Sequence, residues 1–160
     1  MKDLTHEQKE TFWNRMDDVR AGMLHTDPDR VVPMSHYTDE ERGVFWFITA
    51  DGTDAYDAAK EGKEVHYVVA EAGAKIYAKI DGRLTVENDR EKLDELWSPV
   101  AAAWFEDGKE DEDVWLVKLT PSHAEAWLTD GGAGFLYEIA KANITHDKPD
   151  MGEHYEVSFT

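Results

Sequence analysis

The sequence predicts a mainly β protein, an antiparallel barrel of six to seven strands with flanking helices. Short runs of β-branched and aromatic residues are separated by turn signals of only a few residues. Helices interrupt these runs at irregular places, whereas a parallel sheet would need one after each strand. The chain has 160 residues, of which 41% are hydrophobic, so it is most simply one domain with a sizeable core.

A helix and a hairpin are predicted first. Thr5 and Gln8 have the spacing of a capping box, and apolar residues then recur at helical spacing. Strands over 21–26 and 31–37 follow, joined by a turn of Asp, Pro and Asp. Pro33 cannot donate a ladder hydrogen bond, which restricts the second strand to an edge or a bulge.

The middle of the chain alternates strands with one short helix. Six aromatic or β-branched residues over 44–49 predict a strand buried on both faces, and a helix over 53–60 follows it. Strands over 65–70 and 75–86 come next. The second alternates apolar and polar residues with a period of two, and a bulge is expected in it at 81–82.

The last part of the chain predicts two helices and two strands. Asp89 is the expected N-cap of the first helix. The ranges 114–119 and 124–128 are predicted as two separate strands, and 133–142 carries the apolar stripe of a final helix. The residues after that helix have no strong pattern and are expected to wrap the body or to move freely.

Charge and composition exclude several functions. The chain has 17 basic and 35 acidic residues, a formal charge of −18. Nucleic acids and anionic membranes are bound through Lys and Arg, so neither partner is expected. An acidic face that selects a cationic partner is the alternative to mere solubility. Cysteine is absent, which excludes disulfides and thiolate chemistry. The N-terminal residues contain no apolar signal core, and we expect a cytoplasmic protein.

No metal site is predicted. The seven histidines lack a paired spacing such as H-x-x-x-H, although His25 and His36 could face each other across the first hairpin. The acidic clusters have the composition of solvated loops. Nucleophile-elbow, Walker and dinucleotide glycine motifs are also missing from the sequence.

A tryptophan-rich segment carries a family resemblance. Leu96-Trp97-Ser98-Pro99 is followed by Trp104-Phe105 and Gly108, then by Pro121 and the Ala-Glu-x-Trp that ends at Trp127. Over residues 8–128 the sequence resembles the general stress protein branch of the pyridoxamine 5′-phosphate oxidase-like flavoproteins. The resemblance implies an FMN-binding split β-barrel over residues 1–130, with a C-terminal helix and tail over 131–160 packing on it. It also implies a homodimer that holds FMN at the subunit interface.

One segment that the resemblance assigns to the cofactor is R-x-V-x-[LM]-[KST]. It places Arg30 near the flavin phosphate and Val32, Met34 and Ser35 along the isoalloxazine ring. A flavin ring needs a flat apolar wall and main-chain groups for its pyrimidine edge, which such a strand supplies. The alternative is an ordinary strand-end arginine followed by a buried methionine.

A second segment resembles the family's phosphate-binding [FY]-T-x-x-x-S-x-K. Thr49 and Thr53 match the hydroxyl positions, and free N–H groups at a helix N-terminus favour a phosphate. Asp54 and Ala55 stand where relatives carry a basic pair, so a charge-assisted bond worth roughly 1.5–3 kcal/mol is lost. The alternative is that Thr53 caps the helix and Asp54 complements its dipole.

Two further residues are assigned by resemblance. Lys79 is expected to replace the missing cation, ahead of Lys75, and Trp127 is expected near the flavin and the dimer interface. The alternatives are solvated lysines and a core tryptophan. Packing rather than binding is expected of three aromatic residues: Trp97, Trp104 and Phe105.

The resulting expectation is a homodimeric FMN-binding protein, with oxidoreductase activity of the pyridoxamine 5′-phosphate oxidase-like kind as its implied chemistry. FAD or another flavin-like ligand is the alternative cofactor. No side chain is nominated as a catalytic acid or base, since the flavin itself would supply the chemistry. The alternative function is a non-catalytic stress protein with the same fold and an altered pocket.

Overall fold

The structure is a computed structural model that describes residues 2–3, 6–87, 89–103, 105, 107–129, 140–146, 148 and 153–159. The strands are β1 (Lys2–Asp3), β2 (Gly22–Asp27), β3 (Arg30–Met34), β4 (Tyr37–Asp39), β5 (Val44–Ala50), β6 (Glu64–Glu71), β7 (Ile76–Glu87), β8 (Val114–Leu128) and β9 (Glu153–Ser158). The helices are α1 (His6–Asp17), α2 (Asp54–Lys60), α3 (Arg90–Leu96) and α4 (Pro99–Ala102), with a 3₁₀ turn at Gly108–Glu110.

One sheet contains all the described strands. Seven of them follow the order β1-β9-β8-β7-β6-β2-β3, while β5 pairs with β4 and β8 off this path. Every pairing is antiparallel except that of β1 with β9. The mainly β, antiparallel architecture predicted from the sequence is therefore confirmed. As expected from Pro33, β3 lies at an edge of the sheet.

The predicted strands 114–119 and 124–128 are wrong as two elements, because β8 runs unbroken through both. The register shift expected at Asp81 and Gly82 is present, since Asp81 pairs with His123 and Gly82 with Pro121. The extra residue is Ser122, so the bulge is on β8. A Cβ atom on Gly82 would lie 2.4 Å from the Thr120 carbonyl oxygen. Glycine there lets the two backbones approach and keeps the strand continuous.

Because β8 is continuous, it joins both halves of the sheet. One edge pairs with β7 along its length. The other edge pairs with β5 in the first half of β8 and with β9 in the second half. The bulge lies between these two halves and bends the sheet toward closure.

Two sequence expectations about the ends of strands are also corrected. The predicted strand 31–37 is two strands, β3 and β4, separated by Ser35 and His36. The tail, predicted to lack a pattern, contains β9, in which Tyr155 and Val157 are buried and their neighbours are not. Thr5 of the predicted capping box lies outside the described residues. So does most of the helix expected over 133–142, but residues 140–145 are described and are helical.

The barrel has a main core and a smaller second core. Strand β5 is buried on both faces as predicted, with Phe45 and Phe47 in the main core. Val44 and Trp46 lie in the second core, where Leu93 of α3 covers them. Trp97 also packs against this second core and contacts Phe105, which agrees with the packing role predicted for both residues. Trp104 lies outside the described residues.

Helix α2 fixes the position of the candidate site. Its small residues Ala55, Ala58 and Ala59 are buried in the main core, so the helix packs closely on the strands. Gly52 adopts a φ of 79° in the turn that leads into it, a conformation that glycine reaches without strain. Thr53 is the N-cap, as the sequence suggested.

Candidate functional site

Three elements meet where α2 begins. The N-terminal end of β3 brings Arg30 to this corner, the C-terminal end of β5 brings Thr49, and the cap and first residue of α2 bring Thr53 and Asp54. Four of the nine residues predicted from the sequence as cofactor contacts therefore lie together. They come from segments as far apart as residues 30 and 54, which shows that the fold assembles the group.

The two threonine hydroxyls bond to each other and to the backbone. The Thr53 hydroxyl donates to the Ala50 carbonyl oxygen over 2.8 Å and accepts from the Tyr56 N–H over 3.2 Å. Thr49 Oγ1 lies 2.8 Å from Thr53 Oγ1. Because the only Thr53 hydroxyl proton goes to Ala50, Thr49 must donate in that pair. In this arrangement the cap predicted as the alternative role of Thr53 is present, and a phosphate could accept a hydrogen bond from these hydroxyls only after they rotate.

Arg30 and Asp54 form an ion pair at the same corner. Arg30 Nε donates to Asp54 Oδ2 over 2.9 Å, and both side chains are substantially exposed. Asp54 is thus already bound to Arg30, the arginine that the resemblance assigns to the phosphate. Ala55, the second position of the altered basic pair, is 1% exposed and faces the main core. A basic side chain could not reach the corner from Ala55 without leaving that core.

The side chains of β3 alternate between the core and the outer surface. Val32 and Met34, both predicted to line a flavin ring, pack partly buried against the main core. Val31 is exposed and Pro33 faces outward with it. A ligand lying on the outer surface of β3 would contact Val31, Pro33 and the backbone. The alternation of the strand, applied to positions 30–34, would have indicated this from the sequence. Ser35 follows β3 and is exposed.

Lys79 and Trp127 lie on the outer face of the sheet, away from this corner. The register places Lys79 level with Val68, Met23 and Pro33 on successive strands. Three strand spacings amount to about 14 Å along the sheet, and Trp127 is one strand farther. Within one chain, therefore, Lys79 and Trp127 do not join the group around Arg30. Lys75, the weaker candidate, lies in the turn before β7 with a φ of 62°.

The outer face has its own charge pairs. Lys79 Nζ lies 3.2 Å from Asp81 Oδ1, and the His66 ring bonds to the same carboxylate. Partial burial alone would raise the pKa of Asp81, but the hydrogen bonds from His66 and Lys79 lower it below its usual value. A phosphate would therefore compete with Asp81 for Lys79.

Next to these charge pairs, the outer face of the sheet has exposed aromatic side chains. The Trp127 ring stacks parallel on the His154 ring, with centroids 4.4 Å apart and an interplanar angle of 4°. Tyr77 pairs with Trp127 on the adjacent strand. Trp127 is 40% exposed, so it is not the core tryptophan of the alternative prediction. Four large apolar residues are exposed on this outer face of the sheet: Met23, Val31, Tyr77 and Trp127.

A buried polar pair behind β3 had no signal in the sequence. His36 Nδ1 lies 2.6 Å from the Tyr67 hydroxyl oxygen, and His36 Nε2 lies 2.8 Å from the Met16 carbonyl oxygen. The Tyr67 oxygen is also 3.0 Å from the Met34 carbonyl oxygen. Burial lowers the pKa of His36 and raises that of Tyr67, so both groups are neutral near pH 7. The predicted facing of His25 and His36 is wrong, since His25 pairs with Val31 and His66.

Two cavities lie apart from the predicted cofactor residues. One, of about 240 Å³, lies near α3, and half of the residues that line it are acidic. The other, of about 250 Å³, lies between α1 and the end of β9 and includes Lys9 and Arg42. In the portion of the chain that the structure covers, no three His, Cys, Asp or Glu are grouped to hold a metal ion. None of the helices in that portion has the length and hydrophobicity needed to span a bilayer.

A bent antiparallel sheet, with α2 packed against its main core and further helices on its flanks, defines the class of FMN-binding split-barrel folds. The family model described as pyridoxamine 5′-phosphate oxidase like matches residues 7–150. The chain belongs to this family, on its general stress protein branch. The family resemblance and the split-barrel fold predicted from the sequence are thereby confirmed.

Solved structures give the same assignment. A candidate general stress protein 26 from Jannaschia sp. CCS1 is 47% identical, with 97% of this chain and 100% of that chain covered and a TM-score of 0.87. The general stress FMN/FAD binding protein from Xanthomonas citri is 30% identical, with 80% and 93% covered and a TM-score of 0.70. General stress protein 26 from Bacillus anthracis str. Sterne, at 18% identity, 75% and 93% coverage and a TM-score of 0.65, shows the same fold. No curated protein matches the chain.

Proposed function

We propose that this protein binds a flavin, FMN in the first place, in a groove between two copies of the chain. What supports the proposal is the convergence of Arg30, Thr49 and Thr53 at one corner of a family fold. One relative, from Xanthomonas citri, is named for FMN/FAD binding. A guanidinium beside two hydroxyls suits a phosphate, because it combines charge with several hydrogen bonds.

The residues fit a flavin in part, and the misfit is specific. Arg30 is exposed, but its Nε is bound by Asp54, and the threonine hydroxyls bond internally. A phosphate at this corner must displace the Asp54 carboxylate from Arg30. Flavin affinity is accordingly weaker than it would be without Asp54. The same applies to FMN and FAD, because both carry a phosphate that would have to displace Asp54.

A second copy of the chain would complete the groove. Within one chain, Lys79 and Trp127 lie too far from Arg30 to contact the same bound phosphate. A partner related by a two-fold axis can bring its own outer face close to Arg30. The four exposed apolar residues of that face give a partner something to bury. Helix α2 and the outer face of β3 then line one side of the groove, and the partner's sheet lines the other.

The chemistry would belong to the cofactor. A bound flavin accepts and donates hydride or single electrons, which makes oxidoreductase activity of the pyridoxamine 5′-phosphate oxidase-like kind the natural consequence. Arg30 and the threonines would hold the phosphate, and the backbone of β3 would orient the ring. The absence of cysteine fits a cytoplasmic location.

A non-catalytic protein with an altered pocket is the second candidate function. The Arg30–Asp54 pair favours it, since the corner is already neutralised within the chain. Titration of FMN, followed by its fluorescence, separates the two. Quenching with a dissociation constant in the micromolar range supports flavin binding, whereas FMN and FAD that stay fully fluorescent at high protein concentration contradict it.

Arg30 provides the sharpest test of the site. Arg30→Gln is expected to weaken FMN at least tenfold, since a charge-assisted phosphate contact is worth roughly 1.5–3 kcal/mol. Arg83→Gln is the matched control, because Arg83 is an equally exposed arginine paired with Glu64 over 3.0 Å. Equal losses in both variants would show a general effect of charge and would overturn the assignment of Arg30.

The dimer has a separate test. Sedimentation is expected to give twice the chain mass of 18.3 kDa, about 37 kDa. Trp127→Glu should yield folded monomers, because it places a charge in the buried interface. Ile144→Glu should leave the dimer intact, since Ile144 is an exposed apolar residue of 140–145 and not of the sheet. A wild-type monomer at working concentration would contradict the proposal.

A further inference from the structure

The buried pair His36 and Tyr67 connects α1 to the end of β3. His36 lies directly after β3 and Ser35, and its two ring nitrogens face Met16 of α1 and Tyr67 of β6. Tyr67 in turn reaches the Met34 carbonyl oxygen. Gly22 makes room for this ring, since a Cβ there would lie 2.6 Å from Tyr67 Cζ. The contact between helix and strand is therefore closely packed and polar.

The protons in this chain of contacts can be assigned for a neutral His36. The Met16 carbonyl can only accept, so Nε2 must carry the ring proton and donate to it. Nδ1 is then a bare acceptor, and the Tyr67 hydroxyl donates to it over 2.6 Å. Tyr67 has one proton, so the Met34 carbonyl, at 3.0 Å, receives none from it.

Protonation of His36 reverses the direction of one hydrogen bond. Both ring nitrogens of an imidazolium donate, so Nδ1 donates to the Tyr67 oxygen. The Tyr67 hydroxyl, which no longer donates to Nδ1, then donates its hydrogen bond to the Met34 carbonyl oxygen. A hydrogen bond to this carbonyl polarises the peptide between Met34 and Ser35 and strengthens its N–H, on Ser35, as a donor.

The groups that face His36 determine the pH at which its ring takes up a proton. Burial lowers the pKa of His36, while the Met16 carbonyl and the Asp17 carboxylate on α1 oppose that shift. Asp17 also accepts from the Thr38 hydroxyl of β4 over 2.6 Å. On the remaining side, the Phe45 ring of β5 meets the imidazole edge-on and carries no charge.

We propose that His36 and Tyr67 are positioning residues of the flavin groove, and that uptake of one proton by His36 transfers a hydrogen bond to the Met34 carbonyl and tightens flavin binding. The inference rests on the proposed function, in which the backbone at Met34 and Ser35 lies beside the flavin ring. The expected gain is about threefold in affinity on acidification. By reciprocity, bound flavin raises the His36 titration midpoint by about half a pH unit.

The first test needs no flavin. In uniformly labelled protein, NMR follows the His36 ring, the Met34 carbonyl carbon and the Ser35 amide nitrogen between pH 8 and pH 5. The backbone shifts of Met34 and Ser35 are expected to move with the His36 midpoint. In Tyr67→Phe the His36 ring still titrates but this backbone response is lost. Flat Met34 and Ser35 shifts, an unaltered response in Tyr67→Phe, or a His36 ring that does not titrate before unfolding would each overturn the proposal.

The second test measures FMN affinity over the same pH range. The wild type is expected to bind about threefold tighter at the acid end, and Tyr67→Phe to lose that dependence. His146→Gln, a change at an exposed histidine far from β3 in sequence, should retain it. Affinity that varies identically in wild type and Tyr67→Phe contradicts the coupling. Failure to bind FMN at any pH would reject the flavin site itself, and the cofactor-free backbone response distinguishes that outcome.

Discussion

Arg30 and Asp54 are bound to each other across the corner where β3 meets α2, with Nε and Oδ2 2.9 Å apart. The acidic substitution in the phosphate motif is thus more than a missing lysine. It gives the neighbouring arginine a partner within the chain, so a bound phosphate and Asp54 compete for the same guanidinium. Replacing the Asp54 carboxylate by the neutral carboxamide of asparagine would remove this competition.

Asp54→Asn is expected to tighten FMN about fivefold, because an exposed ion pair contributes up to about 1 kcal/mol and the asparagine no longer repels the phosphate. Fluorescence titration measures the change. Glu64→Gln, which frees the exposed Arg83 in the same way, should leave FMN affinity unaltered. A gain of similar size in both variants would point to net charge instead of the corner.

Gly82→Ala is expected to destabilise the fold by about 2 kcal/mol or more, since the added methyl would meet backbone atoms of Thr120 and Pro121 at 2.4–2.9 Å. Gly73→Ala serves as control. Its Cβ would meet only the end of the Glu71 side chain at 3.4 Å, and little change in stability is expected. Urea unfolding of both variants checks this. Equal stability of the two would show that the bulge tolerates a side chain.

Asp39→Ala is expected to cost about 1–3 kcal/mol, because it leaves the Trp46 indole N–H and the nearly buried Lys92 ammonium without this carboxylate. Partial burial would raise the pKa of Asp39, yet the bonds from Trp46, the Arg42 backbone and Lys92 lower it. Asp94→Ala, which removes the partner of exposed Lys109, should cost well under 1 kcal/mol. Comparable losses from the two changes would contradict a special role for Asp39.

Tyr155 tests whether β9 is part of the core. Tyr155→Ala is expected to lose about 3–5 kcal/mol, as for other buried aromatic side chains. Tyr155→Phe should lose only about 1 kcal/mol, the contribution of the hydrogen bond that its hydroxyl accepts from Gln8 over 2.6 Å. Chemical denaturation distinguishes them, and a small effect of the alanine variant would mean that β9 contributes little to the fold.

His36 should make stability depend on pH. Its pKa is lowered in the folded state, so below about pH 6.5 the unfolded chain binds a proton that the folded chain does not. The free energy of unfolding then falls as pH decreases, by at most about 1.4 kcal/mol per pH unit for this group. The slope between pH 7 and pH 5 should be shallower in His36→Gln than in the wild type. Identical slopes would remove His36 as a source of acid sensitivity.

Much of the fold could be predicted because local patterns and global packing agree. The alternation over 75–86 and the apolar run over 44–49 require the same burial that the sheet supplies. The continuity of β8 could not be predicted, because Pro121 and Ser122 normally end a strand. Only the pairing of Pro121 with Gly82, from a segment about forty residues earlier, and the bulge at Ser122 keep both residues within the strand. Strand β9 was missed because six alternating residues are a weak signal at a chain's end.

The site was harder to predict than the fold. The structure brings Arg30, Thr49, Thr53 and Asp54 to one corner, but the motif resemblance gave no indication that Arg30 and Asp54 bind each other. Lys79 and Trp127, also assigned to the cofactor by resemblance, lie several strands away in the same chain, and their role stays a prediction. The contact between His36 and Tyr67 depends on the crossing of α1, β3 and β6, which no local pattern encodes.

The continuity of β8 also governs how the molecule can open. Because β5 pairs with one half of β8, β9 with the other and β7 with its whole length, β8 cannot unfold without disrupting both halves of the barrel. Partial unfolding that spares one half is thus suppressed, and the central amides of β8 should exchange with solvent only when the entire chain unfolds. A single strand thereby makes the barrel one cooperative unit.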